Sequence, residues 1–307
     1  MDEILEKLKK IKAKRVFVQF ADGLKKDILN ICEKLEKENI ETVICMENTY
    51  GACDVREYEA KLLNCDAILH IGHANFGVKA KLPVIYWEYF LDFEKEKIEK
   101  IIEKNLNTLK NYEKIGLIAS VNYFKALKLA KEILENFEKK VLISKTLEYE
   151  GQILGCNISA ALSIENKVDC FLLITSGKFY AIGALLKVKK PLFVLDMDKE
   201  RIVDLEKEKR KYLKIIAWNK SFLKDAKKIG ILVSWKRGQY FGDPFKLKKR
   251  LEKKGKKCYI LSFDEISYEK IEGLKLDLLI NCACPRIFPD DYEKYKIPII
   301  NYSNVGS

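Results

Sequence analysis

The chain has 307 residues, with 57 lysines and arginines against 45 aspartates and glutamates and a formal net charge of +12. That length suits two or three lobes with real hydrophobic cores, and no window approaches twenty uninterrupted apolar residues, which argues against a membrane span. Nine cysteines point to metal binding or buried thiols rather than a disulfide framework, and the interleaved charges of "EKEKIEKIIEK" and "KKRLEKKGKK" read as solvated helix faces more than as a nucleic-acid tract.

The first stretch, "MDEILEKLKKIKAKR", has the pattern of an amphipathic helix with acids in it. It lacks the apolar centre of a signal peptide, so a cytoplasmic protein is expected. "RVFVQFA" (15–21) reads as a strand, and Leu24, Ile28, Ile31, Cys32 and Leu35 after it fall on one helical face. "TVICM" offers a second strand, followed by "NTYGACDV" (48–55), which sets Cys53 in a turn of small residues. "DAILHIGH", from Asp66, is a third strand introduced by aspartate, and "LPVIYWE" is a fourth, led by proline.

The same order then returns twice. "KIGLIAS" (114–120) and "KIGILVS" (228–234) are near copies of each other and share the apolar shape of the first strand. Each precedes a helix pattern; in the third segment Asp243 is placed to cap, Pro244 to take the first helical position and Gly255 to end the helix. Second strands follow in "KVLIS" and "KCYIL", aspartate-led third strands in "DCFLLITSG" (Asp169) and "DLLINCACP" (Asp277), and proline-led fourth strands in "KPLFVLD" and "IPIINYS". The expectation is an α/β chain of three similar lobes, 1–106, 107–217 and 218–307, each a mainly four-stranded parallel sheet flanked by helices, arranged around a central cleft.

Ligands of open α/β sheets collect at the carboxyl ends of strands. The residues seven beyond the three aspartates fall there: His73, Ser176 and Cys284. Cys53 and Cys156 (in "YEGQILGCN") follow the second strands of their lobes, so each lobe offers one cysteine at a strand-to-helix turn. The other six, Cys32, Cys45, Cys65, Cys170, Cys258 and Cys282, read as small apolar core residues. Three thiolates leave a metal one ligand short, which fits zinc or a [4Fe–4S] cluster with one iron open to substrate.

"HIGH" (70–73) also matches a signature of class I aminoacyl-tRNA synthetases, where it starts a helix, but no lysine-rich partner loop is found and a strand ending at a site is the simpler reading. Taken together, "TYGACD" (49–54), "HIGH", "GQILGC" (151–156), "GQYFGDP" (238–244) and "CPRI" (284–287) resemble the archaeal diphthamide-biosynthesis radical enzymes, the 2-(3-amino-3-carboxypropyl)histidine synthases, over essentially the whole chain. The resemblance implies three α/β lobes, a homodimer, and a [4Fe–4S] cluster held by Cys53, Cys156 and Cys284. It implies cleavage of S-adenosylmethionine (SAM) between sulfur and the methionine γ-carbon. The 3-amino-3-carboxypropyl group then passes to imidazole C2 of a histidine on translation elongation factor 2, releasing methylthioadenosine. An electron donor is required, and no direct nucleic-acid binding is expected.

His73, Ser176, Gln239 and Arg286 are the candidates to touch SAM, with ordinary loop capping the alternative for each; His70 reads as structural. Two other functions fit the residues less well. One is a three-lobed [4Fe–4S] dehydratase of the quinolinate-synthase type, separable by whether methylthioadenosine forms. The other is a basic RNA-associated binding protein, which would be free of iron and bind nucleic acid in a salt-sensitive way.

Overall fold

The structure, a computed structural model, describes residues 1–306. In the first repeat α1 (Asp2–Lys10), β1 (Arg15–Phe20), α2 (Ile28–Glu36), β2 (Glu41–Ile44), α3 (Glu57–Leu62), β3 (Ala67–Ile71) and β4 (Val84–Trp87) build a parallel sheet of order β2-β1-β3-β4. Its core joins Ile4 and Leu8 of α1, one turn apart, to Val16, Val18 and Phe20 of β1 and to the stripe Ile28, Ile31, Cys32 and Leu35 of α2.

The second repeat comprises α4 (Lys95–Lys104), β5 (Lys114–Ala119), α5 (Phe124–Asn136), β6 (Lys140–Leu142), α6 (Ser159–Leu162), β7 (Cys170–Thr175), α7 (Phe179–Leu185), β8 (Leu192–Asp196) and β9 (Arg201–Asp204). Its order, β6-β5-β7-β8-β9, repeats the first and adds β9 antiparallel to β8. Nothing in the sequence pattern announced β9, because "RIVD" puts a charge at each end of two apolar residues and buries only Ile202. The third repeat, α8 (Glu206–Ser221), β10 (Lys228–Ser234), α9 (Pro244–Glu252), β11 (Lys257–Phe263), β12 (Leu278–Asn281), α10 (Ile287–Asp291) and β13 (Ile299–Asn301), returns to order β11-β10-β12-β13, all parallel. Asp243 caps α9, its carboxylate accepting from the Lys246 N–H at 2.9 Å, with Pro244 in the first turn, and Gly255 follows with φ +79°.

In all three repeats the leading helix packs on the sheet that comes after it. Ile98, Ile101 and Ile102 of α4 join the core of the second sheet, and Ile215 and Ile216 of α8 join that of the third, where the Asn219 amide donates to the Ile299 carbonyl at 2.9 Å. The described residues form two compact units: Met1–Leu91 with Lys236–Gly238, which holds the first sheet, and Asp92–Trp235 with the chain from Gln239 onward, which holds the second and third.

The aspartate before each third strand performs the same task three times. One Asp66 oxygen accepts from the backbone N–H groups of Lys14 and Arg15 at 2.7 and 2.8 Å. Asp169 accepts from Glu113 and Lys114 at 3.0 and 2.8 Å, and Asp277 from Lys227 and Lys228 at 2.8 and 2.7 Å. Each carboxylate thereby closes the entry of the first strand beside it, and these backbone donors hold all three acids below their ordinary range.

Volume is traded between neighbouring strands. Phe17 of β1 pairs with Ile68, whereas in the second repeat Gly116 takes the Phe17 position and Phe171 the position across from it. A Cβ on Gly116 would lie 2.6 Å from the Phe171 ring, so the glycine of "KIGLIAS" is fixed by that ring.

Candidate functional site

The nine cysteines divide by exposure. Cys53, Cys156 and Cys284 are partly buried, and Cys32, Cys45, Cys65, Cys170, Cys258 and Cys282 are buried. Burial pushes the Cys170 and Cys282 thiols up to about 12, as expected of inert core residues. The partly buried three each stand in a loop beyond a strand's carboxyl end, and each loop is pinned by a different device.

The Cys53 loop is held by Gln19, fully buried at the end of β1. Its amide donates to the Asp54 carbonyl at 3.1 Å and its oxygen accepts from the Arg56 N–H at 3.0 Å. The Cys156 loop returns to β5, where the Ala119 N–H donates to Gly151 and the Ile153 N–H to Ala119, both at 2.9 Å. Behind it Gly183 of α7 lies so close that a Cβ there would be 2.3 Å from the Gly155 carbonyl oxygen. The Cys284 loop hangs on two asparagines. Asn281 donates to the Cys284 carbonyl and to the Asn301 side chain at 2.8 and 2.7 Å, and Asn301 donates to the Pro285 carbonyl at 2.8 Å.

In the second unit Cys156 and Cys284 share one electrostatic neighbourhood. Burial raises the Cys284 thiol to about 11; the Arg286 backbone N–H opposes this and the Cys156 thiol adds to it. Burial raises Cys156 too, against the pull of Lys187, whose ammonium donates to the Cys156 carbonyl. The Arg286 guanidinium, 4% exposed, lies 4.6 Å from the Phe179 ring and bonds Asp290 through Nη2, while its Nε and Nη1 have no protein partner.

In the first unit, burial with Cys53 nearby raises the Tyr86 hydroxyl to about 12. The fully buried His70 ring sits 5.3 Å from Tyr86, and His70 Nε2 is 3.1 Å from His73 Nδ1. Desolvation pushes both histidines down, His73 to about 4, so the pair is neutral near pH 7. His70 Nδ1 and the Tyr86 hydroxyl are buried and unpartnered within the protein, as is Thr49 Oγ1. Each such group costs about 1–3 kcal/mol until something meets it, so these atoms mark where a polar ligand is wanted.

The sequence-predicted residues fall as follows. His73 lies two residues beyond β3 and Ser176 directly after β7, where its oxygen accepts from the Tyr123 hydroxyl at 2.6 Å. Gln239 is buried, and Arg286 directly precedes α10. "HIGH" ends a strand and no helix follows it, unlike the synthetase signature. Gln19, Asn281, Asn301, Tyr86, Lys187 and Gly183 were not foreseen. The available signal was a polar residue closing an apolar strand, as in "RVFVQF" and "LLIN". Among the described residues no three His, Cys, Asp or Glu side chains gather as ligands of a single metal ion.

The model of the diphthamide synthesis protein family matches residues 20–305. The chain belongs to that family. A Pyrococcus horikoshii 2-(3-amino-3-carboxypropyl)histidine synthase is 32% identical over 99% of this chain and 88% of its own length. One from Methanocaldococcus jannaschii is 28% identical over 96% of this chain and 84% of its own. The crystal structure of Dph2 from P. horikoshii with a 4Fe-4S cluster superposes with a TM-score of 0.89 at 29% identity, covering 99% of this chain and 88% of that one. The α/β architecture of three mostly parallel sheets is thus the fold of this family, and the chain is a transferase. Among the described residues no helix is long and apolar enough to cross a membrane.

Proposed function

We propose that this chain catalyses the first step of diphthamide synthesis. It transfers the 3-amino-3-carboxypropyl group of SAM to imidazole C2 of a histidine on translation elongation factor 2 and releases methylthioadenosine. It does so in the cytoplasm as a homodimer supplied by a separate electron donor. The carrying observation is the division of the cysteines: one partly buried thiol per repeat, in a chain whose 29%-identical structural relative binds a 4Fe-4S cluster. Cys53, Cys156 and Cys284, from the segments 1–106, 107–217 and 218–307, would hold that cluster, and soft thiolates suit it. A bound cluster would supply one electron and an iron able to take the sulfonium substrate.

The chain's own residues bind and orient. The buried Arg286 keeps two unmet donors, Nε and Nη1, on different edges of a guanidinium that lies 4.6 Å from the Phe179 ring, and its charge and open donors suit the SAM carboxylate. Ser176, directly after β7 and bonded by Tyr123, and the buried Gln239, in the segment that follows β10, would be further polar contacts. The neutral His70–His73 pair, with Tyr86 beside it, offers hydrogen-bonding groups without placing a cation near the substrate sulfonium.

The test is anaerobic reconstitution followed by iron and sulfide counts and product analysis with SAM. Wild-type protein is expected to hold about four irons and form methylthioadenosine. Cys53→Ala, Cys156→Ala and Cys284→Ala should each lose iron and product, whereas Cys32→Ala and Cys45→Ala should keep both. A loaded cluster that yields no methylthioadenosine would overturn the reading.

A further inference from the structure

Three residues remote in sequence belong to the first unit with the Cys53 loop. Lys236 places its ammonium 2.7 Å from the Asp54 carboxylate, across 182 residues of sequence, and the two side chains are only 6% and 2% exposed. The same ammonium lies 5.3 Å from the centre of the Tyr50 ring. Arg237 reaches Glu57 at 3.0 Å and the Lys79 carbonyl at 2.6 Å. The Gly238 N–H donates to the Cys53 carbonyl at 3.2 Å. A Cβ on Gly238 would lie 2.5 Å from the Cys53 Cβ and 2.6 Å from its Cα and carbonyl oxygen, so only glycine lets the backbones meet.

We propose that Lys236 and Gly238 are positioning residues for Cys53, a clamp that fixes this thiol's loop before any cluster is present. The inference rests on the proposed function only in taking Cys53 as a ligand. A buried ion pair is a poor source of net stability, because desolvating both charges offsets most of their attraction. It is a strong source of geometry, since neither partner can move away without stranding the other. Gly238 contributes the complementary part, a steric wall with one hydrogen bond directly on the cysteine backbone. Tyr50, Cys53, Asp54 and Glu57 are all touched by this one tripeptide, which spans the loop from before the thiol into α3.

The experiment is a brief iodoacetamide pulse on the full-length, cluster-free protein, with alkylation at Cys53, Cys156 and Cys284 quantified by mass spectrometry. Gly238→Ala and Lys236→Met are expected to raise Cys53 labelling roughly tenfold, through easier local opening, and to leave Cys156 and Cys284 within about twofold. The double variant Lys236→Met/Asp54→Leu guards against a folding defect, since apolar residues replace both charges. It should melt near wild type and still label faster at Cys53. After reconstitution the variants should hold less iron and give a weaker or altered electron paramagnetic resonance signal in the reduced state.

Unchanged Cys53 labelling in folded Gly238→Ala and in the double variant overturns the proposal, and so does an equal rise at all three thiols. Wild-type protein that takes up no iron overturns the cluster reading instead, while the labelling result still decides the clamp.

Discussion

Arg286 is buried with one edge of its guanidinium on Asp290 and the rest unmet, and the missing partner defines the ligand it suits. Arg286→Met should weaken SAM binding at least about tenfold by calorimetry, and Arg286→Lys should rescue little, because an ammonium cannot hold Asp290 and also present donors at the separate, planar positions of Nε and Nη1. His73 makes a pH prediction. Its folded value is held near 4 by burial against about 6.5 in an unfolded chain, so between these the unfolded state binds a proton that the folded state does not. Stability therefore falls as pH drops through this window, by about 1–2 kcal/mol at pH 5 for this group. His70 acts in the same sense, while burial raises Asp290 to about 6 and so works the other way between its unfolded value and 6. The measurement is accordingly the difference in denaturant stability between wild type and His73→Gln, which should shrink from pH 7 to pH 5. The three partly buried cysteines were legible because a repeat placed each one in a strand-end turn. Gln19 and Asn281 were not, since an amide at a strand end reveals its task only when the loop it holds has folded back on it.

At the scale of elements, α7 and the Cys156 loop meet backbone to backbone at Gly183 and Gly155. Gly183→Ala should destabilise by about 1–3 kcal/mol in urea unfolding and lower iron uptake, because the loop must shift to admit one methyl. Gly177 is a control: it has open space around it and φ +72°, so Gly177→Ala should lose about 1 kcal/mol from backbone strain alone and leave iron uptake unchanged. The strands of all three repeats could be read from apolar runs introduced by aspartate or proline, and α9 from its cap. What escaped was β9, with too little apolar content to register, and the pairing of the leading helices. An amphipathic stripe shows that a helix packs but not against which sheet. Charge content misled least: lysines of the interleaved run on α4 form exposed pairs, Lys95–Glu132 and Lys97–Glu200.

For the molecule as a whole, the three aspartate latches make acid tolerance a shared property of the repeats. Each carboxyl is held below its ordinary range, so its contribution is complete above the unfolded value near 4 and is lost as pH falls through the folded one. Asp66→Asn, Asp169→Asn and Asp277→Asn should each lose about 1 kcal/mol at pH 7, a figure kept small by solvent screening. Each should also flatten the acid limb of the thermal melting curve to a similar degree. The leading helices carry a different implication. If the chain arose by duplication, the copied stretch of gene began with a helix, because α1, α4 and α8 each seal the sheet downstream. A fragment excised at residue 106 or 217 would strip its own sheet of that seal and leave a neighbour's isoleucines facing water, so only scissors that fall ahead of α4 or α8 keep each seal with its sheet.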